Sequence, residues 1–191
     1  MAEITIFGKG NMGSAIGSNF EAAGNQLTYL TKETPVEHLG DIVVLSVPYP
    51  AIAGILAAHR NLFAGKIVID ITNPLNFKTF DSLVVPPDSS AAAEIAKEIP
   101  DASVIKAFNT NFAATLVTKK VAGEHPTTVL LASDDQEAKD KLVAALEGSG
   151  LAFIDAGSLK RARELEAMGF LQITLAASEK ISWAGGFGIF L

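Results

Sequence analysis

No cysteine occurs among the 191 residues. That excludes disulfides, thiolate nucleophiles and thiolate metal ligands, and it fits a reducing compartment such as the cytoplasm. Histidine is sparse as well. His38, His59 and His125 lie far apart beside turn-like sequence, without metal-ligand spacing, so each reads as a solvated loop residue and no metal site is expected. Positive charge is in short supply: the formal net charge is −6, and no basic cluster is large enough to track a nucleic-acid backbone. Long apolar runs are missing too. The longest uncharged stretch, Ile42–Ala58, is seventeen residues and contains Pro48 and Pro50, so it reads as a strand, a turn and a helix, not a membrane span. The acidic start Met1-Ala2-Glu3, with only a strand-length apolar run after it, argues against a signal peptide. The expectation is a soluble, cytoplasmic protein with neither nucleic acid nor membrane as partner.

What is present is alternation. Apolar runs near Glu3–Phe7, Gln26–Leu30, Ile42–Val47, Lys66–Ile71, Ser103–Ala107, Thr127–Ala132 and Ala152–Asp155 read as strands. Helical stretches fall between them near Asn11–Ala23, Ala51–Ala58, Ser90–Ile99, Asn111–Thr118 and Asp134–Gly148. The order predicts an α/β fold, Rossmann-like and doubly wound, with a mostly parallel sheet whose strands are apolar because helices cover both faces. The length suits one domain, 1–191. Within it, 158–191 forms a C-terminal extension: a long helix over Ser158–Lys180, apolar nearly all round from Ala167 to Ala177, then a glycine-rich aromatic tail, Trp183–Leu191. An all-round apolar helix predicts burial against the sheet or against a second subunit. Only Thr31–Asp41 separates the second and third strands, and Thr34-Pro35-Val36-Glu37 resembles a capping box, so about one helical turn ending at Gly40 is expected there.

The most informative motif is Gly8-Lys9-Gly10-Asn11-Met12-Gly13, which follows the first strand and opens the first helix. In that context it predicts a dinucleotide-binding turn. Gly8 makes the turn, Gly10 lets the backbone approach a pyrophosphate, and Gly13 lets the helix pack close to its strand. The helix N-terminus then offers free N–H groups to the phosphates. An Asp or Glu ending the second strand would hold the ribose hydroxyls of NAD, but the strand ends Tyr29-Leu30-Thr31-Lys32. A hydroxyl and a cation suit a 2′-phosphate, which favours NADP(H); the competing reading makes Glu33, one position late, the acidic reader. Ligands in such sheets bind beyond the C-terminal strand ends, which brings in the loops Ser46-Val47-Pro48-Tyr49-Pro50, Asp70-Ile71-Thr72-Asn73-Pro74-Leu75 and Lys106-Ala107-Phe108-Asn109-Thr110. There Asn73, Asn109 and Thr110 can hydrogen-bond a carboxamide or ribose, or serve their own turns.

With these motifs in order, the chain resembles the deazaflavin (coenzyme F420)-dependent NADP oxidoreductases and the related reductase domain of the STEAP metalloreductases. The carriers are the Gly8–Gly13 turn with Asn11, Thr31-Lys32 where the family has Ser-Arg, Val47-Pro48, Lys106-Ala107-Phe108-Asn109-Thr110, Asp155-Ala156-Gly157 with Leu159, Arg163 and Glu166, and the closing Gly188-Ile189-Phe190-Leu191. The resemblance implies an oxidoreductase that moves hydride between NADP(H), lying across Gly8–Gly13, Thr31, Lys32, Val47 and Ala107, and a small-molecule deazaflavin or flavin acceptor covered by the tail. It also implies a homodimer. Lysine in place of arginine turns a bidentate phosphate contact into a point charge. Because the cofactors carry such a reaction, no catalytic acid or base is expected, and Arg163 and Glu166, three apart on a helix, read as a surface ion pair. Two alternatives stand beside this. Gly10-Asn11-Met12-Gly13-Ser14-Ala15-Ile16 also resembles pyrroline-carboxylate reductases and hydroxyacid dehydrogenases, which add a large helical domain. A non-catalytic NADPH sensor could use the same turn.

Overall fold

The computed structural model describes residues 1–190; Leu191, the last residue of the predicted tail, lies outside the described residues. The strands are β1 (Glu3–Phe7), β2 (Gln26–Leu30), β3 (Ile42–Leu45), β4 (Ile67–Asp70), β5 (Ser103–Lys106), β6 (Lys120–Val121), β7 (His125–Pro126), β8 (Thr128–Leu131) and β9 (Ala152–Asp155). The helices are α1 (Asn11–Ala22), α2 (Tyr49–His59), α3 (Ala91–Glu98), α4 (Ala113–Thr118), α5 (Gln136–Ala145) and α6 (Ala162–Ala177). Five parallel strands form a sheet in the order β2-β1-β3-β4-β5. β8 and β9 pair in parallel with each other and join β5 through an antiparallel bridge between Lys106 and Ala132. The strand order reverses between β1 and β3, which puts the ligand crevice of such a sheet at the ends of those two strands.

Alternation along the strands builds two cores. Ile4, Ile6, Ile42, Val44, Ile67, Ile69 and Ile105 face α1, α4 and α5. Phe7, Val43, Leu45, Val68 and Val104 face α2, α3 and the start of α6. The register aligns the strand ends in one row, Leu30–Phe7–Leu45–Asp70–Lys106, so the functional loops leave the sheet side by side.

Three expectations change. The predicted helical turn after β2 is absent. The Thr34 side chain accepts from the Thr31 N–H at 3.1 Å, so it cannot cap a helix. Gly40 is not a helix stop: its N–H donates to Thr5 Oγ1 at 2.9 Å, and a Cβ there would collide with the Glu3 carbonyl, so glycine permits a close crossing over β1. Leu39 plugs the face that a helix would have covered. Second, the last helix is shorter than predicted, starting at Ala162 after a 3-10 turn, Leu159–Arg161. Third, burial against the chain's own sheet accounts for only part of its apolar half: Leu171 is 52% exposed, and Met168, Phe170, Ile173 and Leu175 are half-buried, as burial against a second subunit would also leave them within one chain. The tail crosses the short β6–β7 hairpin, with the Ala184 carbonyl accepting from the Ala122 N–H at 2.8 Å and Phe190 set 4.7 Å from the His125 ring. No described helix is long and apolar enough to cross a membrane, and no described cluster of His, Asp and Glu is arranged to hold a metal.

Candidate functional site

The turn after β1 is shaped by its glycines. Gly8 has φ +96°, a left-handed value that disfavours other residues. Its N–H donates to the Leu30 carbonyl at 2.9 Å, and a Cβ would strike the Ser46 carbonyl at the end of β3. A Cβ on Gly13 would strike the Gly8 carbonyl, so α1 sits directly against the turn. Gly10 faces open space, with nothing near the place a Cβ would occupy. The first turn of α1 has neither a capping side chain nor an acidic residue, whereas α3 and α5 are capped by Ser90 and Asp135. A helix end left in this state presents free N–H groups and a positive dipole to an anion.

Beyond the turn lie two adjoining lobes. One, of about 340 Å³, runs from Gly10, Asn11 and Met12 past Ser46, Val47, Pro48 and Tyr49 to Thr72 and Asn73, with Phe77 at its edge. The other, of about 400 Å³, is walled by Asn109, Asn111, Phe112, Ala113 and the tail residue Trp183. Asn11, Met12, Ile71, Asn73 and Ile173 border both, so the lobes form one cleft. Asn73 and Asn109 tie its floor together. Asn73 Nδ2 donates to the Asn109 carbonyl at 2.8 Å, and Asn109 Nδ2 donates to Asn73 Oδ1 at 2.9 Å and to the Leu165 carbonyl at 2.8 Å. Asn111 Nδ2 donates to the Thr128 carbonyl at 2.9 Å. These bonds fix both amides with their oxygens as acceptors, and Oδ1 of Asn109 and of Asn111 is buried without a partner. Unpaired buried acceptors are costly unless a ligand N–H meets them.

Beneath this floor lies a buried ion triad. Asp70 and Lys106 are register partners at the ends of β4 and β5. Lys106 Nζ is 2.7 Å from Asp70 Oδ2 and 2.8 Å from Glu166 Oε1, and it donates to the Thr72 carbonyl at 2.5 Å. Glu166 also accepts from the Ala91 and Ala92 N–H groups at the start of α3, at 2.9 and 3.3 Å. Burial pushes its carboxyl above the usual range, Lys106 pulls it back down, and Asp70 pushes it up again. The surface ion pair expected between Arg163 and Glu166 is therefore wrong. Glu166 points inward, because its helix face also carries Ala162, Leu165, Gly169 and Gln172, all buried. Arg163 instead donates to the Ser89 carbonyl, and Arg161 pairs with Glu164.

Of the residues singled out in the sequence, Gly10, Asn11, Met12, Ser46, Val47, Pro48, Asn73 and Asn109 line the cleft. Gly8 and Gly13 shape it from behind. Ala107 is fully buried and lines neither lobe; its N–H donates to the Asp70 carbonyl at 3.2 Å. Thr110 turns its carbonyl to Gln172 Nε2 at 3.0 Å. Thr31 and Lys32 lie exposed past β2, outside both lobes, and Lys9 sits over the Tyr29 ring at 5.0 Å. Sequence reasoning missed Asn111, Phe112 and Ile173 as wall residues. It also missed Glu166 and Gln172, although two polar residues on the same face as Leu165 and Ala176 were the available signal.

Comparison with known proteins follows the same lines. The family model described as NADP oxidoreductase, coenzyme F420-dependent, matches residues 26–74. An F420-dependent NADP reductase of Methanocaldococcus jannaschii is 30% identical over 150 residues, covering 76% of this chain. The chain belongs to the coenzyme F420-dependent NADP oxidoreductase family. It spans 66% of the length of that relative. Metalloreductase STEAP3 of Rattus norvegicus is 31% identical over 136 residues, 71% of this chain and 26% of that one. A crystal structure of a proposed F420-dependent NADP-reductase from Arthrobacter sp. FB24 superposes with a TM-score of 0.83 at 25% identity, each chain covered in full.

Proposed function

We propose that this chain transfers a hydride between NADP(H) and a deazaflavin- or flavin-like acceptor. In this reading residues 1–191 form one NADP-binding domain whose segment 158–191 supplies the acceptor side of the site. The observation that carries it is the two-lobed cleft: one lobe opens from the phosphate-binding turn, the other is walled by Trp183, and they meet at Met12 and Ile173. The nicotinamide cofactor supplies the redox chemistry when bound. Gly8–Gly13, with Lys9 at its outer edge and the open first turn of α1, would hold the pyrophosphate. Thr31 and Lys32 lie where the adenosine ribose ends, and Ser46, Val47 and Pro48 flank the nicotinamide ribose. Asn109 and Asn111 line the second lobe, where Asn73 and Asn109 bond each other across the floor.

The chain's own contribution is to hold donor and acceptor carbons about 3–3.5 Å apart and to exclude water. Met12, Ile71, Phe112, Ile173 and Trp183 provide apolar walls for that purpose. Among the described residues Tyr49 is the one ionisable group lining the lobes, and burial, then Glu94, holds its phenol above the usual range, so it stays neutral at pH 7. Mixing the protein with NADPH and, separately, a 5-deazaflavin, FMN, a quinone and a ferric chelate tests this. Loss of NADPH absorbance with the deazaflavin or FMN is expected; no oxidation with any of the four refutes the reading.

A homodimer belongs to the same proposal. Leu171, Trp183, Phe187 and Phe190 are exposed, and Trp183 borders the cleft that Ile173 also lines. Exposed apolar surface of this size suits a protein interface. A second copy would cover it. Sedimentation at micromolar concentration should show a dimer, and a wild-type monomer would refute it.

A further inference from the structure

We propose that this chain binds NADH as well as NADPH, and that Glu33 sets the balance by accepting from the adenosine ribose 2′-hydroxyl. The inference rests on the dinucleotide reading of the Gly8–Gly13 turn. Its basis is the loop that leaves β2 at the adenosine end of the crevice. Thr31 is the hydroxyl expected to meet a 2′-phosphate, yet Thr31 Oγ1 donates to Glu33 Oε2 at 2.8 Å. The Glu33 N–H donates back to Thr31 Oγ1 at 3.4 Å, and Thr31 Oγ1 lies 3.0 Å from Thr34 Oγ1. The hydroxyl is thus already turned onto a carboxylate, and that bond holds the Glu33 carboxyl below its usual range, ionised at neutral pH.

A 2′-phosphate entering here must displace this carboxylate from Thr31 or accept it as a neighbour. Both weaken binding, because like charges repel and the hydroxyl is engaged. A ribose 2′-hydroxyl meets the opposite situation: it is a donor beside an ionised acceptor, the pairing that an acidic residue at the end of the second strand makes with NAD. Glu33 stands one position late for that role in sequence, but the turn closed by the Thr34 N–H on the Thr31 carbonyl, at 3.2 Å, folds it back onto Thr31.

The cationic side of the balance is thin. Lys32 is exposed and makes no ion pair among the described residues, so it remains available to a phosphate as a point charge. Lys9, brought close when the Gly8 N–H bonds the Leu30 carbonyl, is held over the Tyr29 ring. With no helix between β2 and β3, the crossover adds no further helix N-terminus there. One exposed lysine beside one hydrogen-bonded carboxylate, whose charges act on each other, gives a site that tolerates both cofactors.

Direct binding of NADPH and of NADH, by calorimetry on wild type, Glu33→Gln and Lys32→Ala, tests this. Wild-type dissociation constants should differ by no more than roughly thirtyfold, since one exposed charge contact is worth about tenfold. Glu33→Gln should tighten NADPH about tenfold and weaken NADH several-fold. Lys32→Ala should move the ratio the other way, weakening NADPH about tenfold and leaving NADH unchanged. Wild-type preference for NADPH beyond roughly thirtyfold, or an unchanged ratio in Glu33→Gln, overturns the inference alone. Failure of wild type to bind either cofactor overturns the dinucleotide reading as well.

Discussion

Replacing Lys106 by methionine tests the electrostatics beneath the site most sharply. The ammonium sits within 2.8 Å of two carboxylates, and the side chains of Asp70, Lys106 and Glu166 are 0–1% exposed. Methionine keeps most of the volume but leaves two buried carboxylates facing one vacated point, and it frees the Thr72 carbonyl. Removing one partner from a buried ion pair costs about 3–5 kcal/mol. That is a large share of the roughly 5–15 kcal/mol by which a domain is stable. At about 2–4 °C per kcal/mol for this size, the melting temperature should fall by roughly 10 °C at pH 7.

The pH dependence separates a charge effect from a packing effect. Without Lys106, which lowers it, the already raised Glu166 carboxyl gains a proton more readily in the folded state than in the unfolded chain. Groups whose folded pKa is raised stabilise most below the unfolded value, and that contribution is lost as pH rises through the folded value. The deficit of Lys106→Met should therefore widen between pH 5 and pH 8, by up to about 1.4 kcal/mol per pH unit for each extra proton bound. Adding Glu166→Gln removes one of the two charges and should restore part of the loss. Urea melts followed by circular dichroism measure all of this. A cost below about 1 kcal/mol, or a deficit constant from pH 5 to pH 8, would refute an ionised triad.

Gly10→Val should abolish NADPH binding while leaving the fold intact, since the new side chain enters open space where the pyrophosphate backbone approaches; titration with near wild-type affinity would place the cofactor elsewhere. Truncation after Ser182 removes Trp183 from the larger lobe, so NADPH binding should survive while acceptor reduction is lost; joint loss of both, with a lowered melting temperature, would mean that the tail is structural. Lys139, 2.7 Å from Asp155, holds that carboxyl below its usual range, so its stabilisation is present above the unfolded pKa and lost as pH falls through the lower folded value. Lys139→Met should flatten the decline in melting temperature between pH 5 and pH 3, and an unchanged slope would remove Asp155 from the acid response.

Much of the architecture follows from local pattern. Alternating Ile and Val in β1, β3, β4 and β5 fills a core on each face, and that periodicity needs no knowledge of partners. The turn Gly8–Gly13 is local too, since strand, glycines and helix are contiguous, and the placement of its loop neighbours follows from where parallel strands end. The sequence was misleading where a side chain had two uses. Thr34 looked like a helix cap, but its oxygen accepts from Thr31, and Gly40 looked like a helix stop but answers to a carbonyl on β1.

Tertiary structure alone decided the rest. Asp70 and Lys106 are 36 residues apart, and only sheet register makes them partners; Glu166 reaches α3 across 75 residues, so its burial was invisible beside Arg163. The same holds for the cleft floor, where Asn73 and Asn109 bond each other and leave the oxygens of Asn109 and Asn111 unpaired. An asparagine's amide serves a turn or a ligand equally well in isolation. Which of the two it serves depends on the donors and acceptors that distant segments place around it, and those positions are set by packing and not by neighbouring sequence.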